Sequence, residues 1–358
     1  MTPSELFLLR LDHQGKFQPT DHIAQLLTTT VGMQAQQPRQ TEVGIALRTL
    51  HATVADLQQT YQRQPVVRSW AQRWTHQLLT YTDWKMVIAA RSHEQLPTAY
   101  YLGQKQLILD LATDLQTYLS QQTPLTKAEV NAFLDDATKE PLANQLCYAI
   151  LQTIMNRGGA YFDPASSTTK YVIHAATPSE LSPAAALEQL IPRYVAGFGP
   201  VEMADFVKWA GIRAALVRPV WERLKSQWVP IDYHGHRLYM TEPVSATHLA
   251  ELVDQSTDQL LLTSGYDATM TGYVDKQWLV TPEHQSDLWT LNGILNPIMI
   301  INGQVAGTWK FQFKGRKIKF TLFPWHPLTA TQQQRISTSF THIAQFFNQT
   351  VGDISTQL

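Results

Sequence analysis

Basic side chains are concentrated in two stretches of this chain that contain no acidic residue. Residues 289–352 carry six Lys and Arg residues but no Asp or Glu, whereas the whole chain of 358 residues has a formal net charge of −1. Residues 57–82 are also free of acids. The basic residues of the two stretches are Arg63, Arg68, Arg73, Lys310, Lys314, Arg316, Lys317, Lys319 and Arg335. Since Lys and Arg neutralise phosphates and release counterions, this segregation favours a polyanionic partner over a merely solvated strand face.

Few other residue types suggest chemistry. His234 and His236 have the spacing of a metal-binding pair, but no third ligand is near them. We therefore expect no metal and no cofactor, and assign both histidines to a turn that contacts DNA or solvent. The only cysteine, Cys147, cannot form an internal disulfide, and its apolar neighbours indicate a buried thiol in a reducing cytosol.

Two aspartates and two tryptophans each allow two interpretations. Asp267 and Asp275 flank Gly272 and Tyr273 in a predicted loop, where they either cap helices or line a binding pocket. Trp70 and Trp74 lie in a predicted hairpin, where they either pack in the core or stack on bases.

The clearest structural unit is in the middle of the chain. Ser182 followed by Pro183 predicts a helix start, and glycines near residue 199 predict its end. Further helices are predicted over 201–210 and 213–225, with a turn at Gly211, and a hairpin follows with its turn at 234–236. Three helices and a hairpin are typical of a winged helix. Pro219 inside the last helix predicts a kink or a later helix start.

The same order of elements is predicted twice upstream. Helices over 21–31, 38–50 and 55–63 precede a hairpin over 66–79. Helices over 82–91, 126–134 and 141–155 precede a second hairpin over 161–173, with Thr126 and Glu129 forming a capping box. We interpret residues 97–121 as a helical insertion.

The pattern changes near residue 245. Asn302-Gly303 between two apolar runs is a strong hairpin signal, and Lys314-Gly315 makes a second turn. The last prediction is a helix over 329–351. The sequence thus predicts an α+β protein with three tandem winged-helix motifs, over 1–80, 81–178 and 179–244. A C-terminal antiparallel β-barrel-like domain with a terminal helix follows over 245–358.

In order along the chain, several segments resemble the winged-helix DNA glycosylases of the AlkZ and YcaQ type. The segments are Gly32–Arg39 with its Gln34-x-Gln36, Arg68–Trp70, Arg73–Thr75, Arg193–Pro200, Asp205–Trp209, Tyr266–Asp267, Gly272–Asp275, Pro282–His284 and Asn302–Trp309. One departure is that Gln77 occupies the position of a family histidine, and His76 is one place early. In a strand that shift puts His76 on the opposite face.

The resemblance implies three winged helices and a C-terminal barrel around a DNA channel, and release of alkylated purines, including bulky adducts or crosslinked bases. It implies catalysis by Gln34 and Gln36. An amide cannot act as a conventional base, but it can orient water and the sugar beside a cationic leaving group. Chance is the alternative, since glutamine is abundant here. From the two interpretations given above, Trp70, Asp267 and Asp275 are kept as lesion-pocket candidates. The DNA-contact candidates are Arg39, Arg68, Arg73, His76, Arg213, Arg218, His234, His236, Lys314, Arg316, Lys317 and Lys319.

The sequence-based hypothesis is therefore a cytoplasmic, monomeric, monofunctional DNA glycosylase that acts on double-stranded DNA with alkylated bases. No apolar run approaches the ~20 residues of a membrane span, and the first ten residues lack a signal peptide's basic start. Two other functions use the same features. One is a non-catalytic winged-helix DNA-binding protein or transcriptional regulator, and the other is a hydrolase of small nucleoside-like substrates.

Overall fold

The computed structural model describes residues 1–63, 65–167, 169–257 and 259–357. In these ranges the α-helices are α1 (Pro3–His13), α2 (Ile23–Thr29), α3 (Pro38–Ala46), α4 (Val54–Arg63), α5 (Tyr81–Ala90), α6 (Lys105–Gln121), α7 (Lys127–Thr138), α8 (Asn144–Asn156), α9 (Pro183–Phe198), α10 (Met203–Ala210), α11 (Ala214–Leu224), α12 (Ala246–Ser256), α13 (Ala268–Thr271), α14 (Gln285–Leu288) and α15 (Ala330–Phe346). The strands are β1 (Met33–Gln34), β2 (Val66–Trp70), β3 (His76–Thr80), β4 (Leu125–Thr126), β5 (Ala160–Phe162), β6 (Val172–Ala175), β7 (Val229–Tyr233), β8 (His236–Met240), β9 (Leu260–Leu262), β10 (Ile298–Ile301), β11 (Gln304–Lys314), β12 (Lys317–Pro324) and β13 (Thr350–Thr356). The protein is a mixed α+β structure.

The first two sequence units share one sheet. Its strand order is β1-β3-β2-β5-β6-β4, so the hairpin of the first unit pairs with that of the second through Arg68 and Phe162. The predicted capping box of α7 is present, because Thr126 accepts from the Glu129 amide and Glu129 accepts from the Thr126 amide. The predicted boundary between residues 80 and 81 therefore divides the strands of a single sheet between two units. The division into separate winged helices remains a prediction.

The third unit has the predicted order α9, α10, α11, β7 and β8. Gly211 ends α10 in the left-handed region at φ +64°, a conformation that favours glycine. Pro219 remains within α11, which begins at Ala214 with Arg213 as its N-cap. The helix therefore starts one residue later than predicted, and the proline is accommodated inside it.

In the C-terminal region, the predicted barrel-like arrangement is not confirmed, because the described strands do not close into a barrel. β13-β12-β11-β10-β9 form an open five-stranded sheet. The hairpin turn at Asn302-Gly303 is where the sequence predicted it, and the second turn is one residue later than predicted, at Gly315-Arg316. The predicted terminal helix ends early, because residues 350–356 form β13, which pairs in parallel with β12. Aromatic side chains of α15 pack on this sheet, and Phe340 stacks on Phe320 at 3.9 Å.

Packing joins segments that are distant in the sequence. One apolar cluster combines α1, α5 and α9–α11 with residues 270–305, and a second combines α2–α4 with the C-terminal sheet and α15. The loops between β9 and β10 are consequently held against the first hairpin. In the described part of the chain, the helices lack the length and apolarity that crossing a membrane requires.

Candidate functional site

A tight turn places Gln34 at the edge of the first sheet. Gly32 has φ +96°, and a Cβ atom there would lie 2.7 Å from the Leu79 side chain, so the turn requires glycine. β1 then pairs antiparallel with β3, with Gln34 opposite Gln77. The Thr41 hydroxyl of α3 donates to the Gln34 carbonyl at 2.8 Å. The backbone of Gln34 is thus fixed from both sides.

Arg73 orients the Gln34 side chain. Its Nη2 donates to Gln34 Oε1 at 3.0 Å, and its Nη1 donates to the carbonyls of Trp209 at 3.1 Å and Thr271 at 3.3 Å. One guanidinium therefore links the first hairpin, α10 and α13. With its oxygen held by Arg73, the Gln34 amide has its NH₂ group available for a ligand.

Arg73 is in the turn between β2 and β3, not in the strand that the sequence predicted. Arg73 and Trp74 have φ +54° and +59°, a left-handed conformation that is uncommon for residues other than glycine. Burial lowers the pKa of Arg73 to about 10, so its guanidinium stays charged at neutral pH. Strained backbone of this kind concentrates at functional sites.

Gln36 lies two residues further along and is exposed. Its side chain makes no hydrogen bond to the described residues, and with Gln34 it lines a cleft of about 680 Å³. The other residues along this cleft come from several elements: Gln37, Arg73, Thr75, Lys208, Tyr266, Met270, Thr271, Lys276, Trp289, Thr290, Asn292, Gly293 and Leu295. The charged residues among them are all cations, so the cleft favours an anionic ligand.

Lys276 is the most enclosed of the cleft lysines. Its Nζ donates to the Tyr273 carbonyl at 3.4 Å and lies 5.5 Å from the ring centre of Trp289. Burial is the main cause that lowers its pKa, and the positive charges of Lys208 and Arg73 lower it further. The cleft therefore holds mutually repelling cations, which a bound phosphate would relieve.

A smaller cavity of about 20 Å³ adjoins the cleft behind Gln34. Gln34, Arg73 and Gln77 are among its lining residues, and it has room for about one water molecule. Gln77 donates to the Thr75 hydroxyl at 2.8 Å. Gln77, which the resemblance aligns with the family's histidine, therefore faces the site.

Asp267 lies beneath this cavity and is buried. Lys16 Nζ lies 2.8 Å and Arg48 Nη2 3.0 Å from its carboxylate, which also accepts from the backbone of Thr269 at the start of α13. Burial alone would raise the pKa of Asp267, but Arg48 and Lys16 outweigh it and hold that pKa well below its ordinary value. Asp267 is committed to a structural triad and a helix cap, so its carboxylate is not free to contact a lesion.

Three predicted contact residues are in the core. Trp70 packs against His76 at 4.3 Å and against Tyr148 and Phe162, while Arg68 lies over the Phe162 ring. Burial, with Arg68 nearby, lowers the pKa of His76 to about 3. Trp70, Arg68 and His76 are all at most 4% exposed, so the structure does not present them to DNA or to a lesion. The apolar environment of the β2–β3 hairpin explains this, since one of its faces covers the second unit.

The remaining predicted residues lie outside the cleft. Arg39 pairs with Glu42 and lies over Phe313, and Arg213 pairs with Glu94. Arg218, His234 and Asp275 are exposed, and so is His236, whose Nδ1 is 3.6 Å from Glu202. In the described ranges, no three His, Cys, Asp or Glu side chains are arranged to hold a metal.

The tip of the β11–β12 hairpin carries the other predicted cations. Lys314, Arg316 and Lys317 are exposed, and Lys314 is opposite Lys317 across the strands. Lys319 is half-buried and pairs with Asp353 of β13. The tip is therefore more basic than the middle of the hairpin.

Sequence reasoning missed four cleft residues, Lys208, Tyr266, Lys276 and Trp289. Tyr266 is part of a segment that carried the resemblance, but its hydroxyl contact with Gln37 at 3.4 Å joins residues 229 positions apart. The acid-free stretch begins at Trp289 and was a usable signal for that residue. Lys276 follows Asp275 directly in the sequence, and only the fold shows that Lys276 lines the cleft whereas Asp275 lies outside it.

Comparison with known proteins agrees with this arrangement. The model of the DNA glycosylase AlkZ-like family matches residues 27–346. The structure of DNA glycosylase AlkZ from Streptomyces sahachiroi is similar to this one, with a TM-score of 0.79 over 100% of both chains at 17% identity, which is evidence about the fold. A search of curated proteins gives no match. Because the family match spans most of its length, the chain belongs to the AlkZ-like family of DNA glycosylases.

Proposed function

We propose that this DNA glycosylase acts in repair by hydrolysing the N-glycosidic bond of purines that carry a positive charge from N-alkylation, including bulky adducts and crosslinked bases. The observation that supports this most directly is the pair Gln34 and Gln36 in a cationic cleft, with Arg73 fixing the first amide. An N-alkylated cationic base is already a good leaving group. The site then needs to orient water and the sugar and does not need to supply a strong acid.

The hydrogen bonds support different roles for the two amides. Arg73 occupies the carbonyl of Gln34, so we assign the Gln34 NH₂ to the sugar or the leaving base. The Gln36 carbonyl has no partner among the described residues and is assigned to accept from the attacking water. Base release then proceeds through water, without a covalent bond to the enzyme.

The described residues that line the cleft include no carboxylate, and this shapes the mechanism. An oxocarbenium-like sugar beside Arg73, Lys208 and Lys276 would be disfavoured in isolation. Bound DNA changes this balance, because its phosphates neutralise the lysines and place negative charge next to the sugar. We infer that the substrate's own phosphates, together with the carbonyl dipole of Gln36, stabilise the transition state.

The test is release of N7-methylguanine from duplex DNA by variants of the pair. Gln34→Ala and Gln36→Ala should each slow release by about a hundredfold or more, the size seen when a preorganised polar group is removed from an active site. Gln36→Glu retains an acceptor and should be faster than Gln36→Ala. Gln121→Ala, which changes an exposed glutamine on α6, is the matched control and should retain the wild-type rate. Wild-type release by both alanine variants would refute the assignment.

A further inference from the structure

A hydrogen-bonded turn at the rim of the cleft carries the most exposed large apolar side chain of the described residues. Leu291 has a relative exposure of 107%, whereas the other exposed large apolar side chains lie between 38% and 52%. Single exposed leucines are common, so it is the position of Leu291 beside the cleft that distinguishes it. The same turn also exposes Ile294.

The turn is built to hold its tip in place. Trp289 bridges Leu295 as a strand pair, the Thr290 amide donates to the Ile294 carbonyl at 3.0 Å, and the Thr290 hydroxyl accepts from the Ile294 amide at 3.2 Å. Below the turn, the Asn296 amide donates to the Leu288 carbonyl at 2.8 Å. A leucine on such a base projects outward with little freedom in its backbone.

The flanks of the tip face the catalytic cleft. Thr290, Asn292 and Gly293 line the same cleft as Gln34 and Lys276. Leu291 is therefore at the entrance by which a nucleotide would reach the two glutamines. The cations of the cleft would hold the phosphates on either side of that nucleotide.

We propose that Leu291 is a wedge that enters the base stack of duplex DNA when the damaged nucleotide turns out towards Gln34 and Gln36. This inference rests on the proposed glycosylase function. Turning a base out of a duplex costs stacking and pairing energy, and apolar side chains inserted between bases are a known way to offset it. Insertion also removes the exposed leucine from water. Leu291 is thus a positioning residue that acts on the duplex and takes no part in bond cleavage.

The wedge predicts a difference between duplex and single strand. Leu291→Ala should slow release of N7-methylguanine from duplex DNA by about tenfold, because burial of a leucine side chain is worth at least that factor. Release from a single strand should keep its wild-type rate, since there is no stack to open. Leu291→Met should restore most of the duplex rate. Leu50→Ala, which removes an exposed leucine outside the cleft, is the matched control. Equal loss on both substrates, or no loss on the duplex, would overturn the proposal.

A second measurement does not depend on turnover. The probe is a duplex with 2′-fluoro-arabino N7-methylguanine, which resists cleavage, beside 2-aminopurine. Wild-type protein and Leu50→Ala should raise the 2-aminopurine fluorescence as the stack opens, and Leu291→Ala should not. An equal rise with Leu291→Ala would refute the wedge even if no base is ever released. A protein with this fluorescence response but without release from either substrate would instead contradict the glycosylase mechanism.

Discussion

At the scale of single residues, Arg73 connects the chemistry to the scaffold. It reaches Gln34, Trp209 and Thr271 with one rigid guanidinium, from a turn whose backbone is left-handed. A lysine could carry the charge but has no planar fork to satisfy these acceptors together. The pairing of an amide with a fixed cation explains how a glutamine, which has no useful pKa, can be held in one orientation.

His76 gives the protein a pH dependence that does not arise in the cleft. Its pKa of about 3 in the folded protein is below its ordinary value. Between pH 6.5 and 3, His76 is therefore protonated in the unfolded chain but neutral in the folded protein. Stability therefore falls as pH falls through this window. Between pH 6.5 and 5 this one group contributes a loss of up to ~2 kcal/mol.

Thermal unfolding of His76→Asn checks this. Its melting temperature should fall less between pH 7 and pH 5 than that of the wild type. His51→Asn, at an exposed position, should fall as much as the wild type. Burial also lowers the pKa of His13, so His13 contributes a loss of stability in the same direction. The test is therefore the difference between the variant and the wild type, and not the pH dependence of either protein alone. If the melting temperature of His76→Asn falls as much as that of the wild type between pH 7 and pH 5, His76 is not the group that causes the pH dependence.

Part of the site was predictable from residues and part was not. Gln34 and Gln36 were located by their flanking glycine and proline in the resemblance, and strand alternation correctly separated His76 from Gln77. The link from Arg73 to Gln34 was not predictable, because it depends on a turn that the pattern assigned to a strand. The burial of Arg68 and Trp70 depends on pairing between two hairpins about 90 residues apart, which no local pattern reports.

At the scale of elements, buried ion pairs between side chains anchor the short helix α13 and the loop before it. Asp267 caps α13 and holds Lys16, which follows α1, and Arg48, which follows α3. Tyr266 and Thr271, on either side, both line the cleft. The triad therefore sets the height of one wall of the site relative to Gln34.

Asp267→Asn should leave two buried cations without their counter-ion and destabilise the protein by about 3–5 kcal/mol. Asp275→Asn is the matched comparison, because its carboxylate is exposed and its loss should change stability by less than about 0.5 kcal/mol. Thermal or urea unfolding measures both. Similar stability of the two variants would contradict the structural role given to Asp267.

Element prediction succeeded where the signal was local. The capping box at Thr126, the turn at Asn302-Gly303 and the stop at Gly211 each depend on a few neighbouring residues. β13 was missed, because residues 350–356 become a strand only by pairing with β12. The open C-terminal sheet was missed for a related reason, since closure depends on whether the two edge strands meet, and strand sequences do not specify that.

At the scale of the whole molecule, the near-zero net charge conceals an uneven distribution along the chain. Residues 289–352, which include the β11–β12 tip, carry six Lys and Arg residues and no acid. Lys317 at the tip is exposed, whereas Lys319 is already paired with Asp353. The two lysines therefore differ in what they can give to DNA.

Binding to undamaged duplex at several salt concentrations distinguishes them. Lys317→Ala should reduce the slope of log affinity against log salt by about 1, as expected for the loss of one phosphate contact. Lys319→Ala should reduce it less, because its charge is partly neutralised by Asp353. If neither variant changes the slope, this hairpin is not a DNA surface.

The triad of Lys16, Arg48 and Asp267 also determines at what stage of synthesis the nascent chain can complete its folding. Lys16 and Arg48 emerge early, but the carboxylate that allows their burial is made more than 200 residues later. Until then the nascent chain must keep both cations in water, so the floor of the site cannot close. The cleft itself needs residues 266–295 as well as 34–37. Catalytic competence is therefore acquired late in synthesis, once residues 266–295 have been made and can pack against residues 34–37.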